Sequence, residues 1–147
     1  MGFLGIFIIL SSRTEELSSR FRTLVRGRTA SDVMQRTIQV IPAAVRVIDA
    51  LEEARDTTQS MFPVCFGTKP LGLVSRTELE GLVKEGLGEL GISEHMRRDF
   101  LVSGCDEPLA ILLQRMANGQ VPRAVVMDDG TPVGVVGLEQ VLREASL

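Results

Sequence analysis

Shifted by 62 positions, the 147-residue chain matches itself without a gap. Met34 falls on Met96, Arg36 on Arg98, Leu51 on Leu113, Val64 on Val126, Pro70 on Pro132, Gly72 on Gly134 and Val74 on Val136. Ile38 with Phe100, Val40 with Val102 and Leu79 with Val141 keep the apolar register. Two units of 62 fill residues 24–147 and leave 23 in front. A unit of about 60 residues buries little surface by itself, so the copies are expected to pack into one pseudo-two-fold body.

Both units share one grammar. A short helix ends at Met34 or Met96, and an apolar strand follows at Ile38–Ile41 or Phe100–Ser103. The spacing of Val47, Ile48, Leu51 and Ala54, and of Leu109, Leu112, Leu113 and Met116, predicts amphipathic helices over Val45–Asp56 and Glu107–Asn118. Asp106 with Pro108 behind it reads as a helix N-cap, and Ala44 holds the matching place in unit one. Two β-rich runs joined by a glycine-containing turn come next. They are Met61–Phe66 and Pro70–Ser75 around Gly67–Thr68–Lys69, and Arg123–Met127 and Thr131–Val136 around Asp128–Asp129–Gly130. Closing helices are predicted over Arg76–Glu89 and Leu138–Ala145. The fold class is therefore α+β, two β-α-β-β-α repeats preceded by an N-terminal helix.

Composition removes several functions. Hydrophobic residues make up 44%, a globular proportion. With no Trp or Tyr and only six Phe, the chain lacks the aromatic platforms that stack nucleic-acid bases, and no nucleic-acid partner is expected. Two cysteines make no disulfide framework, and one histidine leaves too few ligands for an ordinary zinc site. Cys65, matched by Met127, reads as packing; Cys105 has no base or second thiol to activate it. His95 stands alone, and Glu52, Glu53 and Asp56 read as one solvated helix face. Gly86–Leu87–Gly88–Glu89–Leu90–Gly91 spells G-x-G-x-x-G but trails a helix instead of following a strand, so it is a linker, with Gly91 suited to a C-cap. No catalytic or metal-ligating residues are assigned.

Charge divides the chain. Residues 1–36 carry six arginines and three acids, a net +3; with −3 overall, the remainder carries −6. Residues 1–10, MGFLGIFIIL, have no polar side chain and are half the roughly 20 residues that span a bilayer. They read either as the last turns of a transmembrane helix or as an apolar arm that packs on the body or a partner. The basic stretch from Arg20 to Arg28 favours the first, because such residues mark the cytoplasmic face. Arg13–Val25 also reads as an amphipathic helix, with Leu17, Phe21, Leu24 and Val25 on one side. The domain reading is 1–28 for this lead, 29–91 for repeat one and 92–147 for repeat two, placed in the cytoplasm at the membrane face.

The segments Phe62–Pro63–Val64 with Pro70–Leu79, and Val125–Val126–Met127 with Pro132–Val136, resemble a tandem pair of CBS (cystathionine β-synthase) domains. Asp32–Val33–Met34 and Glu94–His95–Met96 resemble that family's short leading helix. The front end is similar to the junction between the last membrane helix and the CBS pair of site-2-type intramembrane metalloproteases. This resemblance implies a regulatory module without catalysis of its own, a homodimer, and a membrane-embedded protease domain as partner. Any zinc-binding residues of such a protease lie outside this chain.

The CBS resemblance also implies an adenosine-nucleotide site at a G-h-h-[ST]-x-x-D segment, with AMP, ATP and S-adenosylmethionine as candidate ligands. Unit one keeps Gly72 and Ser75 and places Glu78 where the pattern has Asp; Met61, Pro63 and Val40 are the implied adenine walls. Unit two has Gly134 but then Gly137 and Gln140, losing hydroxyl and carboxylate. The same two residues read equally as a capping box, Ser75 as N-cap and Glu78 at the third helical position. A ligand-free structural dimerisation module is the alternative function.

Overall fold

The computed structural model describes residues 22–37 and 39–146. The apolar run 1–10, Ile38, and the larger part of the helix expected over Arg13–Val25, with Leu17 and Phe21, lie outside them. Residues 22–25 are helical, and Leu24 and Val25 pack against a buried core.

The elements follow the repeat. Helix α1 spans Ala30–Val33, strands β1 and β2 Gln35–Arg36 and Ile41–Pro42, helix α2 Val47–Ala54, β3 Met61–Phe66, β4 Lys69–Ser75 and α3 Arg76–Lys84. A 3-10 turn at Ile92–Glu94 opens the second copy. Then come β5 Leu101–Gly104, α4 Leu109–Gly119, β6 Arg123–Asp128, β7 Thr131–Gly137 and α5 Leu138–Ser146. One sheet is ordered β2-β3-β4 and the other β1-β7-β6-β5. In each, a parallel pair (β2/β3, β5/β6) precedes an antiparallel hairpin (β3/β4, β6/β7), and both hairpins shift register at equivalent points, Val64/Cys65 and Val126/Met127. The second hairpin turns on Asp129 and Gly130, both at positive φ, as a two-residue primed turn requires.

The two copies exchange their leading segments. β1, just after α1 of copy one, joins the sheet of copy two by pairing with β7, Gln35 opposite Val135. Its repeat equivalent, Arg97, bridges Leu73 on β4 of copy one, with both backbone bonds at 2.8 Å. Ala30 and Val33 are accordingly buried among Leu109, Leu112, Leu113, Met116 and Val126 of copy two. Ile92 is buried among Val47, Leu51, Phe62, Val64 and Leu79 of copy one. Between the sheets, Leu73, Val125 and Val135 form a third buried cluster.

This exchange accounts for the matched Met–Gly pairs. A Cβ on Gly72 would lie 2.5 Å from the sulfur of Met96 and 2.8 Å from the carbonyl of Arg97. A Cβ on Gly134 would overlap the sulfur of Met34 and lie 3.0 Å from the carbonyl of Gln35. Each glycine thus seats the leading segment of the other copy. Gly72→Ala is expected to lower stability by about 1–3 kcal/mol, because the Arg97 backbone cannot move without breaking its bridge. Adding Met96→Ala should restore only part of that loss in thermal denaturation; an unchanged transition in the single variant would refute this packing.

Five local expectations are corrected. Helix α4 starts at Leu109, and Pro108, not Asp106, is its N-cap. The reason is non-local: Leu109 N–H donates to the carbonyl of Arg28 at 2.9 Å, just as Val47 N–H donates to Leu90 at 2.8 Å in the other copy. The exchanged segments satisfy helix starts that lack side-chain caps. Helix α3 ends at Lys84, not Glu89. Gly86, at φ 84°, closes it in a Schellman pattern, with Gly86 N–H on the Val83 carbonyl and Leu87 N–H on the Leu82 carbonyl. Gly91 is therefore no C-cap; it leads the 3-10 turn and bridges Arg46.

The apolar strand of copy one begins at Ile41 instead of running over Ile38–Ile41. In copy two Leu101 pairs with Ala124. At the equivalent place, the side-chain amide of Gln59 intervenes. Its Oε1 accepts from Gln39 N–H at 2.9 Å, and its Nε2 donates to the carbonyls of Gln39 at 2.9 Å and Met61 at 2.8 Å. Lastly, Glu53 is half-buried, with its Oε2 enclosed and without a hydrogen-bond partner among the described residues, so only Glu52 and Asp56 form the solvated face.

Candidate functional site

A cleft of about 500 Å³ opens where the two copies meet. Five pairs of repeat-equivalent residues line it: Gln35 and Arg97, Ser60 and Pro122, Met61 and Arg123, Ser75 and Gly137, Glu78 and Gln140. It therefore lies on the pseudo-two-fold axis and belongs to both copies.

The capping box forms as expected. Ser75 Oγ accepts from Glu78 N–H at 3.0 Å, and Glu78 Oε1 accepts from Ser75 N–H at 2.9 Å. Local chemistry fixes this geometry: Ser75 ends β4 in extended conformation and presents its oxygen to the first turn of α3. Glu78 Oε2 is also engaged, by Arg97 Nε at 2.7 Å. Arg97 reaches it because the Leu73 bridge holds the lead-in of copy two against β4. Both oxygens of the carboxylate are thus held from within the chain, one by a local backbone N–H and one by the other copy.

The expected site residues divide. Ser75, Glu78 and Met61 come together on the cleft wall. Gly72 lies under Met96, and Pro63 is buried in β3 opposite Leu73. Val40 is half-buried beside the Gln39–Gln59 contact. These three are absent from the lining. Sequence reasoning missed Arg97, Arg123 and Arg143, which line the same cleft with Glu139. The signal was present in the repeat: position 61 is apolar where its equivalent 123 is cationic. Burial pushes the Arg123 guanidinium below its ordinary pKa, and neighbouring Arg97 adds to the effect.

A second cavity of about 430 Å³, near Val25, Arg28 and Pro108, lacks any carboxylate. Among the described residues no cluster of three or more His, Cys, Asp or Glu could hold a metal ion. Cys65 is buried in β3 and its thiol is pushed up by that burial, which suits packing and not nucleophilic chemistry. No helix among the described residues is long and apolar enough to cross a membrane.

Residues 91–147 match the family model described as CBS domain. A hemolysin-like protein containing a CBS domain, from Oenococcus oeni, is similar in fold: 88% of this chain aligns with 97% of that one, at 22% identity and a TM-score of 0.68. The chain folds as a tandem CBS-domain pair. The CBS domain of a bacterial CNNM/CorC family Mg2+ transporter, solved in complex with ATP, aligns over 90% of this chain and 96% of that one, at 20% identity and a TM-score of 0.66. In sequence, the CBS pair is 32% identical over 117 residues to the A-adding tRNA nucleotidyltransferase of Geobacter sulfurreducens. That match covers 79% of this chain and 13% of the relative's length.

Proposed function

We propose that the CBS pair senses an adenine nucleotide in the cleft between its copies and passes that state to a partner domain. The observation that carries this reading is the cleft itself, which is shared by both copies and places Ser75 and Glu78 side by side at a helix start. A carboxylate there accepts hydrogen bonds from a ribose diol, each contributing about 1.5–3 kcal/mol when charge-assisted. The ATP complex of the CNNM/CorC transporter domain supports the same reading by analogy. Because the walls come from two copies, a ligand that prefers one mutual arrangement shifts its population, and the basic lead preceding Ala30 relays it.

The partner is read as membrane-embedded, on the strength of the basic lead. The specific tie to an intramembrane protease rests on the sequence resemblance of that lead alone. Assembly as a homodimer belongs to the same proposal. The alternative, a ligand-free dimerisation module, draws on one observation: both oxygens of Glu78 are already engaged, by Ser75 N–H and Arg97.

Titration calorimetry with AMP, ATP and S-adenosylmethionine separates the two. Sensing requires heat with at least one of them, abolished by Glu78→Ala. Silence with all three at protein concentrations of about 100 μM, together with a dimer in light scattering, would favour the structural module.

A further inference from the structure

Outside the cleft, the start of α4 and the lead before α1 build a face that is both basic and apolar. Arg22, Val25, Arg26, Arg28, Pro108 and Ala110 line its cavity of about 430 Å³. Ile111, the next residue of α4, is 51% exposed. The arginines stand on a fixed backbone. Arg26 N–H donates to the Arg22 carbonyl at 3.0 Å, so the two lie one helical turn apart on the same side. Gly27, at φ 71°, ends that turn and brings Arg28 onto α4, where its carbonyl accepts from Leu109 N–H at 2.9 Å. Thr29 bridges Pro108, and Ala30 N–H donates to the Glu107 carbonyl at 2.9 Å. All three arginines are exposed, and none forms an ion pair with a described residue. The acids of the adjoining turns are Asp32, which accepts from Thr29 N–H at 2.8 Å, Glu107, paired with Arg115 at 2.7 Å, and the exposed Asp106. None of them lines the cavity.

The repeat shows what the same place holds in copy one. At the 62-residue offset, Gly27, Pro108 and Ile111 correspond to Glu89, Arg46 and Asp49. Arg46 pairs with Asp49 at 2.9 Å and also with Glu89, so that face closes on its own charges. In copy two a glycine and an isoleucine replace the two acids, and three arginines surround apolar side chains instead.

We propose that this face rests on an anionic bilayer surface. Arg22, Arg26 and Arg28 meet lipid phosphates, while Pro108, Ala110 and Ile111 enter the headgroup layer. Charge complementarity selects anionic lipid, and apolar residues among arginines suit the boundary between headgroups and acyl chains. An RNA backbone offers the same phosphates, but the chain has no Trp or Tyr on which bases could stack. Chain position agrees. Only residues 11–21 separate the apolar run 1–10 from Arg22, a tether of at most about 40 Å. The placement rests on the membrane reading of the lead and adds the class of lipid and the face of the folded body that meets it.

Co-sedimentation of the full chain with phosphatidylcholine vesicles and with mixed phosphatidylcholine–phosphatidylglycerol vesicles tests it. Mixed vesicles should bind about 10- to 100-fold more tightly at low salt and lose that advantage as salt rises. The triple variant Arg22→Gln, Arg26→Gln, Arg28→Gln should lose about 10- to 100-fold on mixed vesicles and less than about threefold on neutral ones, which read the apolar run. Its three sites are exposed, and Arg28 holds α4 through its carbonyl, so the fold is kept. Arg55→Gln, exposed at the end of α2, should change neither. Because the chain has no Trp, Ile111→Trp and Phe66→Trp each give a single fluorophore; Phe66, at the end of β3, is 76% exposed. Emission from position 111 should shift to the blue on mixed vesicles and emission from position 66 should not, which decides the matter if the triple variant does not fold. A folded triple variant that keeps the parent's preference, equal binding to both vesicles, or a shift at 66 without one at 111 overturns the face and leaves the membrane reading standing. Binding to neither vesicle overturns both. Bulk tRNA that displaces the chain from mixed vesicles and binds the triple variant more weakly assigns the face to RNA and overturns the lipid.

Discussion

Residues 91–147 produced on their own are expected to show no cooperative unfolding transition, although the CBS domain family model matches that stretch. The fragment keeps α4, β5, β6, β7 and α5 but loses what copy one supplies to their core. Ala30 and Val33 leave a buried cluster, and Met34 no longer covers Gly134. Strand β7 loses β1 and becomes an exposed edge. The first N–H of α4 loses the Arg28 carbonyl. A core of about 60 residues rarely supplies more than about 3–5 kcal/mol, and uncovering even two apolar side chains costs about as much. Conversely, the 3-10 segment with Ile92, which the fragment carries, has nothing to pack against. Mixing the fragment with residues 22–90 is therefore expected to restore structure, since each piece holds the segment the other requires. Circular dichroism melts and amide NMR dispersion check both statements. A sharp melt of 91–147 alone, within a few degrees of the intact chain, would refute the energetic importance of the exchange.

The repeat was legible because its matched residues are the ones under steric constraint. Met34, Met96, Gly72 and Gly134 agree at one offset because each methionine sits on a glycine. The offset says that two copies exist and what each contains. It is blind to which copy a segment packs against, because an exchanged and an unexchanged pair have identical internal periodicity. Capping shows the same limit. The Ser75–Glu78 box could be read since its partners are three residues apart. The start of α4 was misplaced because its acceptor, Arg28, comes from the other copy. At the cleft, Ser75, Glu78 and Met61 were legible by motif and register, while Arg97 required knowing that the lead-in of copy two crosses to β4. Arg123 could have been found by comparing position 61 with its equivalent and asking why a strand start in a buried hairpin carries a cation.

Gln59→Ala is expected to cost about 2–4 kcal/mol, a large loss for a polar residue in a loop. In sequence Gln59 looks solvated, but it is 3% exposed and replaces a stretch of sheet ladder. Its single amide serves three backbone groups, the N–H and carbonyl of Gln39 and the carbonyl of Met61. Truncation leaves those groups desolvated without partners, and each such loss costs about 1–3 kcal/mol before water or local movement recovers part of it. The adjoining Arg76 donates to the carbonyls of Thr57 and Gln59, and so holds the loop in place while the amide is missing. The damage should therefore appear as lowered global stability and faster amide exchange at residues 39–41, not as loss of the fold. For a chain of this size the loss corresponds to a fall in melting temperature of roughly 6–12 °C. Gln59→Glu sharpens the test. A carboxylate still accepts from Gln39 N–H but turns lone pairs toward two carbonyls, so the neutral acid is the form the site tolerates. Its carboxyl pKa is then raised on folding, and the variant should be more stable at acid pH and lose stability as pH rises through that pKa, with no such trend in Gln59→Ala. Equal melting temperatures for the parent and both variants across pH 4–7 would show that the amide does not substitute for the missing strand.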